Sequence, residues 1–116
     1  MNDKFRIVLE DKLLPVQAFF NAIPDRSFIE TLKGFKNGVG AGFNETYCGF
    51  PGEEEFDEEP LNGIEFAVMD EEVILNYREF YDILIQVCDS YLKNHPDEKE
   101  EVSSLCDGIK EKLDSL

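Results

Sequence analysis

The stretch from Asn76 to Leu116 constrains the fold more than any other part of the chain. Tyr77, Phe80, Tyr81, Leu84, Cys88, Tyr91 and Leu92 recur at three- and four-residue intervals until His95-Pro96, which is the spacing of one apolar stripe along an α-helix. Asn76, followed three residues later by Glu79, has the pattern of a capping box at its start. A second stripe, Val102, Leu105, Cys106, Ile109, Leu113 and Leu116, follows with Asp97 and Glu100 placed to cap it. Helices with one apolar side must bury that side against something. Just upstream, Ile64, Phe66 and Val68, then Val73 and Leu75, alternate on either side of Asp70-Glu71, which predicts a β-hairpin over 64–69 and 72–76. A hairpin that needs a cover and a helical pair that needs a platform together predict an α+β fold.

Earlier in the chain the elements are shorter. Phe5, Ile7 and Leu9 alternate with Arg6, Val8 and Glu10, the pattern of a first strand. Pro15 can open a short helix that carries Leu14, Ala18, Phe19 and Phe20 as far as Pro24. Ser27 with Glu30 reads as a second capping box, and Phe28, Ile29, Leu32 and Phe35 keep helical spacing up to Lys36-Asn37-Gly38. Gly38, Gly40 and Gly42 allow positive φ at alternate positions, which predicts an irregular turn leading into an extended segment from Phe43 to Phe50. At 116 residues, with no repeat and no linker, the expectation is one domain spanning 1–116.

Charge narrows the possible partners. The chain has 26 acidic and 11 basic side chains, a net charge of −15. No Lys or Arg lies between Lys36 and Arg78, so residues 37–77 carry −11 and the remainder only −4. Phosphate backbones and anionic membranes would be repelled, and neither a nucleic acid nor a membrane is an expected partner. A basic protein is the natural complement. Much of the charge sits in GEEEFDEEP, where Glu53, Glu54, Glu55, Asp57, Glu58 and Glu59 surround Phe56. A loop that served solubility alone would have no need of that aromatic; flanked by Phe50, Pro51 and Pro60, it reads as a docking surface with an apolar anchor.

The catalytic inventory is thin. Cys48, Cys88 and Cys106 are odd in number and show no C-x-x-C spacing, so they suggest reduced thiols in a cytoplasm, with Cys88 and Cys106 in the core. The single histidine, His95, is placed to cap a helix C-terminus. G-V-G-A-G lacks the Walker lysine, and Glu53 to Gly63 lacks the order of an EF-hand, so no cofactor or metal is expected. The N-terminus lacks the order of a signal peptide, and no apolar run approaches the ~18 residues of a membrane helix, which also suggests a cytoplasmic protein. Two other classes stay open: a small hydrolase using Glu45 or Cys48, and an acidic mimic of nucleic acid acting on a basic DNA-binding protein.

One string is produced by neither helix nor strand periodicity: F-x-N-G-V-G-x-G-F-N-E-T-Y-C from Phe35 to Cys48. With the acidic D-E-E that follows it and the strand–strand–helix block ending in Y-L-x-x-x-P at Tyr91 to Pro96, the chain resembles immunity proteins of bacterial contact-dependent growth inhibition, in the group paired with ribonuclease toxins. The likeness covers roughly residues 5–102. It implies a cytoplasmic inhibitor without catalytic activity, which binds the cognate toxin domain and stops it cleaving RNA. On that reading Glu53, Glu54, Glu55, Asp57, Glu58 and Glu59 pair with toxin cations, Phe56 and Tyr47 anchor, and Asp70, Glu71 and Glu72 form a second patch. Gly38, Gly40, Gly42, Phe43 and Asn44 would shape the turn beside them.

Overall fold

The structure, a computed structural model, describes residues 6–52 and 62–116. The described chain is α+β. Four helices, α1 (Leu14–Ala22), α2 (Phe28–Lys36), α3 (Tyr77–Asn94) and α4 (Lys99–Asp114), accompany four strands, β1 (Ala41–Phe43), β2 (Thr46–Gly49), β3 (Ile64–Val68) and β4 (Glu71–Leu75). The strands form one antiparallel sheet in the order β1-β2-β3-β4. Helix α1 lies across all four strands, α3 leaves β4 and packs with α4, and α2 packs on α4.

Phenylalanine explains how these parts share one core. Phe80 of α3 meets Phe20 of α1, Phe35 of α2, Phe50 after β2 and Phe66 of β3, with ring centroids 5.5 to 6.5 Å apart. Phe19 of α1 adds an edge-on contact to Phe66 at 5.6 Å. All six rings are fully buried. Aromatic pairs at these separations add about 0.5–1.5 kcal/mol each beyond the area they bury.

The C-terminal pair forms, although Leu116, expected in the second stripe, lies past the helix end and is exposed, and Ile83 and Val87 join the buried side of the first. In α3 the buried residues are Phe80, Ile83, Leu84, Val87, Cys88 and Tyr91, and in α4 they are Val102, Leu105, Cys106, Ile109 and Leu113. The α3 capping box is complete: the Asn76 side chain accepts from the Glu79 N–H at 2.8 Å, and the Glu79 carboxylate accepts from the Asn76 N–H at 3.0 Å. The other two expected caps do not form. Helix α2 is entered through a 3-10 turn at Asp25–Ser27, and Ser27 makes no side-chain cap. Helix α4 begins at Lys99 after a 3-10 turn at Pro96–Glu98, which places Asp97 inside that turn rather than at the cap. In both, backbone bonds of the tighter turn satisfy donors that a cap would otherwise serve.

The expected first strand is absent from the described residues, and Phe5 lies outside them. Asn21 of α1 accepts from the N–H groups of Arg6 and Ile7 and donates to the Ile7 carbonyl at 3.0 Å, while Gln17 accepts from Leu9 N–H at 2.6 Å. Side-chain amides thus take the place of a neighbouring strand. The alternation still has meaning, with Ile7 buried and Val8 exposed.

The segment from Phe43 to Phe50 is also not one extended run. It folds back at Asn44-Glu45, pairing Phe43 with Thr46 and Ala41 with Cys48. Of the three glycines, only Gly38 takes positive φ, at 76°. Gly40 is required for a different reason: a Cβ there would stand 1.8 Å from the Cys48 carbonyl oxygen. The β3–β4 hairpin forms, with its turn one residue earlier than expected: Val68 pairs with Glu71 around Met69-Asp70, so Glu71 belongs to β4 and Met69 to the turn.

Candidate functional site

The register sorts the strand residues onto two faces. Ala41, Cys48, Phe66 and Val73 are aligned across the sheet and point toward the helices, as do the paired Ile64 and Leu75. Every buried side chain of the strands belongs to this inner face. Alternation then places Gly42, Tyr47, Ala67 and Glu72 in one row on the opposite face, and Gly49, Glu65 and Ile74 in the next.

This outer face is both apolar and acidic. Tyr47 keeps 45% and Ile74 51% of its surface exposed, and Met69 at the hairpin tip keeps 81%. The Tyr47 ring leans over Gly49, where a Cβ would lie 2.6 Å from the phenolic oxygen. Glycine at that position lets the ring lie along the sheet. Glu72 on this face, Asp70 in the turn and Glu71 at the start of β4 are all exposed. No strand, and neither connecting hairpin turn, contains a Lys or Arg.

Of the residues expected at a binding site, the structure therefore brings Tyr47 and Glu72 onto one face, with Asp70 and Glu71 at its tip. Glu53, Glu54, Glu55, Phe56, Asp57, Glu58 and Glu59 lie outside the described residues. Ala67, Met69 and Ile74 were not singled out by periodicity. A signal was nevertheless present: Val73-Ile74-Leu75 is an unbroken apolar run in a strand at the sheet edge, so one of the three must face away from the core.

A second polar constellation ties the N-terminal segment to the helices. The guanidinium of Arg6 donates to Asp25 at 2.6 Å and to the Phe20 carbonyl at 2.8 Å, and lies 5.0 Å from the centre of the Phe28 ring. Phe28, Tyr91 and His95 stack in a column, with centroids 4.0 and 4.2 Å apart. The His95 nitrogens face Asp25 at 3.5 Å and Glu98 at 3.6 Å, and Tyr91 donates to Glu98 at 2.7 Å. Burial first, then the bond to Glu98, hold the Tyr91 phenol well above its usual 10.0. His95 thus packs between carboxylates rather than capping carbonyls with its ring. A cavity of about 320 Å³ adjoins this cluster, lined by Arg6, Asp25, Ser90, Tyr91, Asn94 and His95 among others.

The thiols are arranged for packing. All three are buried, and the Cys88 and Cys106 sulfurs touch at 3.6 Å across α3 and α4. That contact, followed by burial, pushes the Cys88 thiol far above its ordinary range. Cys48 faces the core from β2, whereas Glu45 is exposed in the β1–β2 turn, so the two are not assembled for chemistry. Among the described residues no group of His, Cys, Asp and Glu could hold a metal ion, and no helix is long and apolar enough to cross a membrane.

Fold and surface define a class: a small acidic α+β protein with an exposed, single-signed sheet face and, among the described residues, no assembled catalytic group. The family model described as CDI immunity protein matches residues 10–106, and the chain belongs to that family. Membership implies neutralisation of a CDI toxin, a cognate toxin as partner, and the role of an inhibitor rather than an enzyme. No curated protein matches the chain.

Proposed function

We propose that this protein acts in the cytoplasm, where it binds the ribonuclease toxin domain of a contact-dependent growth inhibition system and covers its cationic RNA-binding or active site with an acidic surface. One observation carries the reading: a family match over 10–106 in a chain with no basic residue between Lys36 and Arg78. A ribonuclease must attract a polyanion, so its working surface is cationic, and an array of carboxylates competes for the same groups. Glu53, Glu54, Glu55, Asp57, Glu58 and Glu59 pair with toxin Lys and Arg, Phe56 and Tyr47 supply apolar anchors, and Asp70, Glu71 and Glu72 extend the patch.

The test is co-expression with the toxin domain encoded beside this gene, followed by pull-down and an RNA-cleavage assay. A complex that suppresses cleavage stoichiometrically is expected. Absence of a complex, or undiminished cleavage within one, would refute the proposal. Glu54→Lys with Asp57→Lys should slow association by about tenfold or more at low ionic strength, an effect that fades as salt screens it. An unchanged association rate would remove the 53–59 segment from the interface.

A further inference from the structure

We infer that the outer face of the four-stranded sheet is the surface on which the toxin docks: Tyr47, Ile74 and Met69 enter an apolar patch of a cationic domain, and Glu72 with the hairpin tip pairs the Lys and Arg around it. The inference rests on the reading that the partner is a toxin, and adds where and how it is held.

Three independent observations lead to this face. The first is that, among the described residues, the helices pack on the other face and leave large apolar side chains exposed on this one. Helix α1 covers the inner face across all four strands, yet Tyr47 and Ile74, in adjacent rows of the outer face, remain about half exposed. Exposed apolar side chains interspersed with carboxylates, Glu65 and Glu72 among them, suit a partner surface that is part apolar and part cationic.

The second is backbone strain at the tip. Both hairpins turn through two residues, and in both the first of the two has positive φ, 56° at Asn44 and 54° at Met69. Asn tolerates that conformation and glycine is usual there, whereas methionine does not adopt it readily. A side chain that is strained in the backbone and 81% exposed contributes little to the fold. Strain retained where packing does not demand it points to a role in contact.

The third is the sign of the charge, which selects the occupant. Helix α4 mixes Lys99, Lys110 and Lys112 with its acids, whereas the strands and both hairpin turns carry acids only. A second copy of this chain would set carboxylates against carboxylates. A cationic domain meets no such penalty.

The experiment measures affinity for the catalytically inactivated toxin domain encoded beside this gene, using matched pairs of variants. Ile74→Lys and Glu72→Lys alter the sheet face; Ser104→Lys and Glu101→Lys make the same charge changes at exposed positions of α4. The face variants should weaken binding by about 30-fold or more, Ile74→Lys chiefly through faster dissociation, and the α4 variants by about threefold or less. Circular dichroism checks that each variant is folded. If folded face variants bind within about threefold of the unaltered protein, the sheet face is not the docking site, although the immunity reading stands. If the unaltered protein itself neither binds nor protects, that reading fails and this inference with it. Sedimentation supplies a third arm: an unaltered protein that self-associates and becomes monomeric as Ile74→Lys would show that a second copy covers the face, overturning the proposal.

Discussion

The two faces of the sheet arise from the same strands, one residue out of phase, and meet opposite demands. On the inner face Phe66 has no exposed surface and contacts rings from α1 and α3. On the outer face its neighbour Ala67 lies between Tyr47 and Glu72, in a row that keeps contact with solvent. Volume and shape decide what the inner positions can hold. On the proposed docking role, partner chemistry decides the outer ones, where the fold itself would accept most polar residues. Stability and binding should therefore separate by face.

Phe66→Ala tests that separation most severely. It removes a fully buried ring from the aromatic cluster and should destabilise the protein by about 3–5 kcal/mol, measured by urea unfolding. Toxin binding should fall only with the fraction unfolded. A loss of affinity in protein that remains folded would show that the two faces are coupled.

Tyr91→Phe probes the inner side at its polar margin. It deletes the hydrogen bond to Glu98 and should cost about 1 kcal/mol at neutral pH. Folding raises the phenol's pKa above its unfolded value of 10.0, so the fold favours the neutral form; the contribution is whole below pH 10 and declines as pH climbs further. Unfolding titrations at pH 8 and above pH 10 should thus show the unaltered protein losing its advantage over Tyr91→Phe. A constant difference between them would contradict the assigned hydrogen bond.

Met69→Gly is the smallest effect and the most diagnostic. Relief of left-handed strain gains roughly 1–2 kcal/mol, and the added freedom of glycine in the unfolded chain takes back about 0.5–1, leaving a net gain of about 0.5 kcal/mol. Affinity for the toxin should drop nonetheless. A variant that is more stable and binds less well would place Met69 among the residues retained for contact; unchanged affinity would leave its strain unexplained.

The helical pair and the β3–β4 hairpin were legible because their signals are local. A capping box spans four residues, an apolar stripe repeats with each turn, and alternation on either side of Asp70-Glu71 needs no distant partner to be recognised. The same local signals misread the N-terminal segment, whose backbone is satisfied by Asn21 and Gln17 rather than by a strand. They also read Ala41 and Gly42 of β1 as part of the glycine turn and ran Phe43 straight into β2, because a two-residue turn at Asn44-Glu45 leaves little mark on periodicity.

The site was legible in kind but not in place. Net charge and the absence of basic residues between Lys36 and Arg78 pointed to a cationic partner, and Tyr47 and Glu72 each stood out singly. By itself, then, the sequence determined the α+β class and the helical stripes, since each follows from residue type at short spacing, and its charge set the expectation of a cationic partner. Only the tertiary structure decided that Tyr47, 25 positions before Glu72, stands in its row, that Ile74 faces solvent while Val73 and Leu75 face the core, and that Cys88 meets Cys106. The physical reason is register: a shift of one residue in strand pairing moves every side chain to the opposite face, and the choice among registers is made by the aromatic core as a whole.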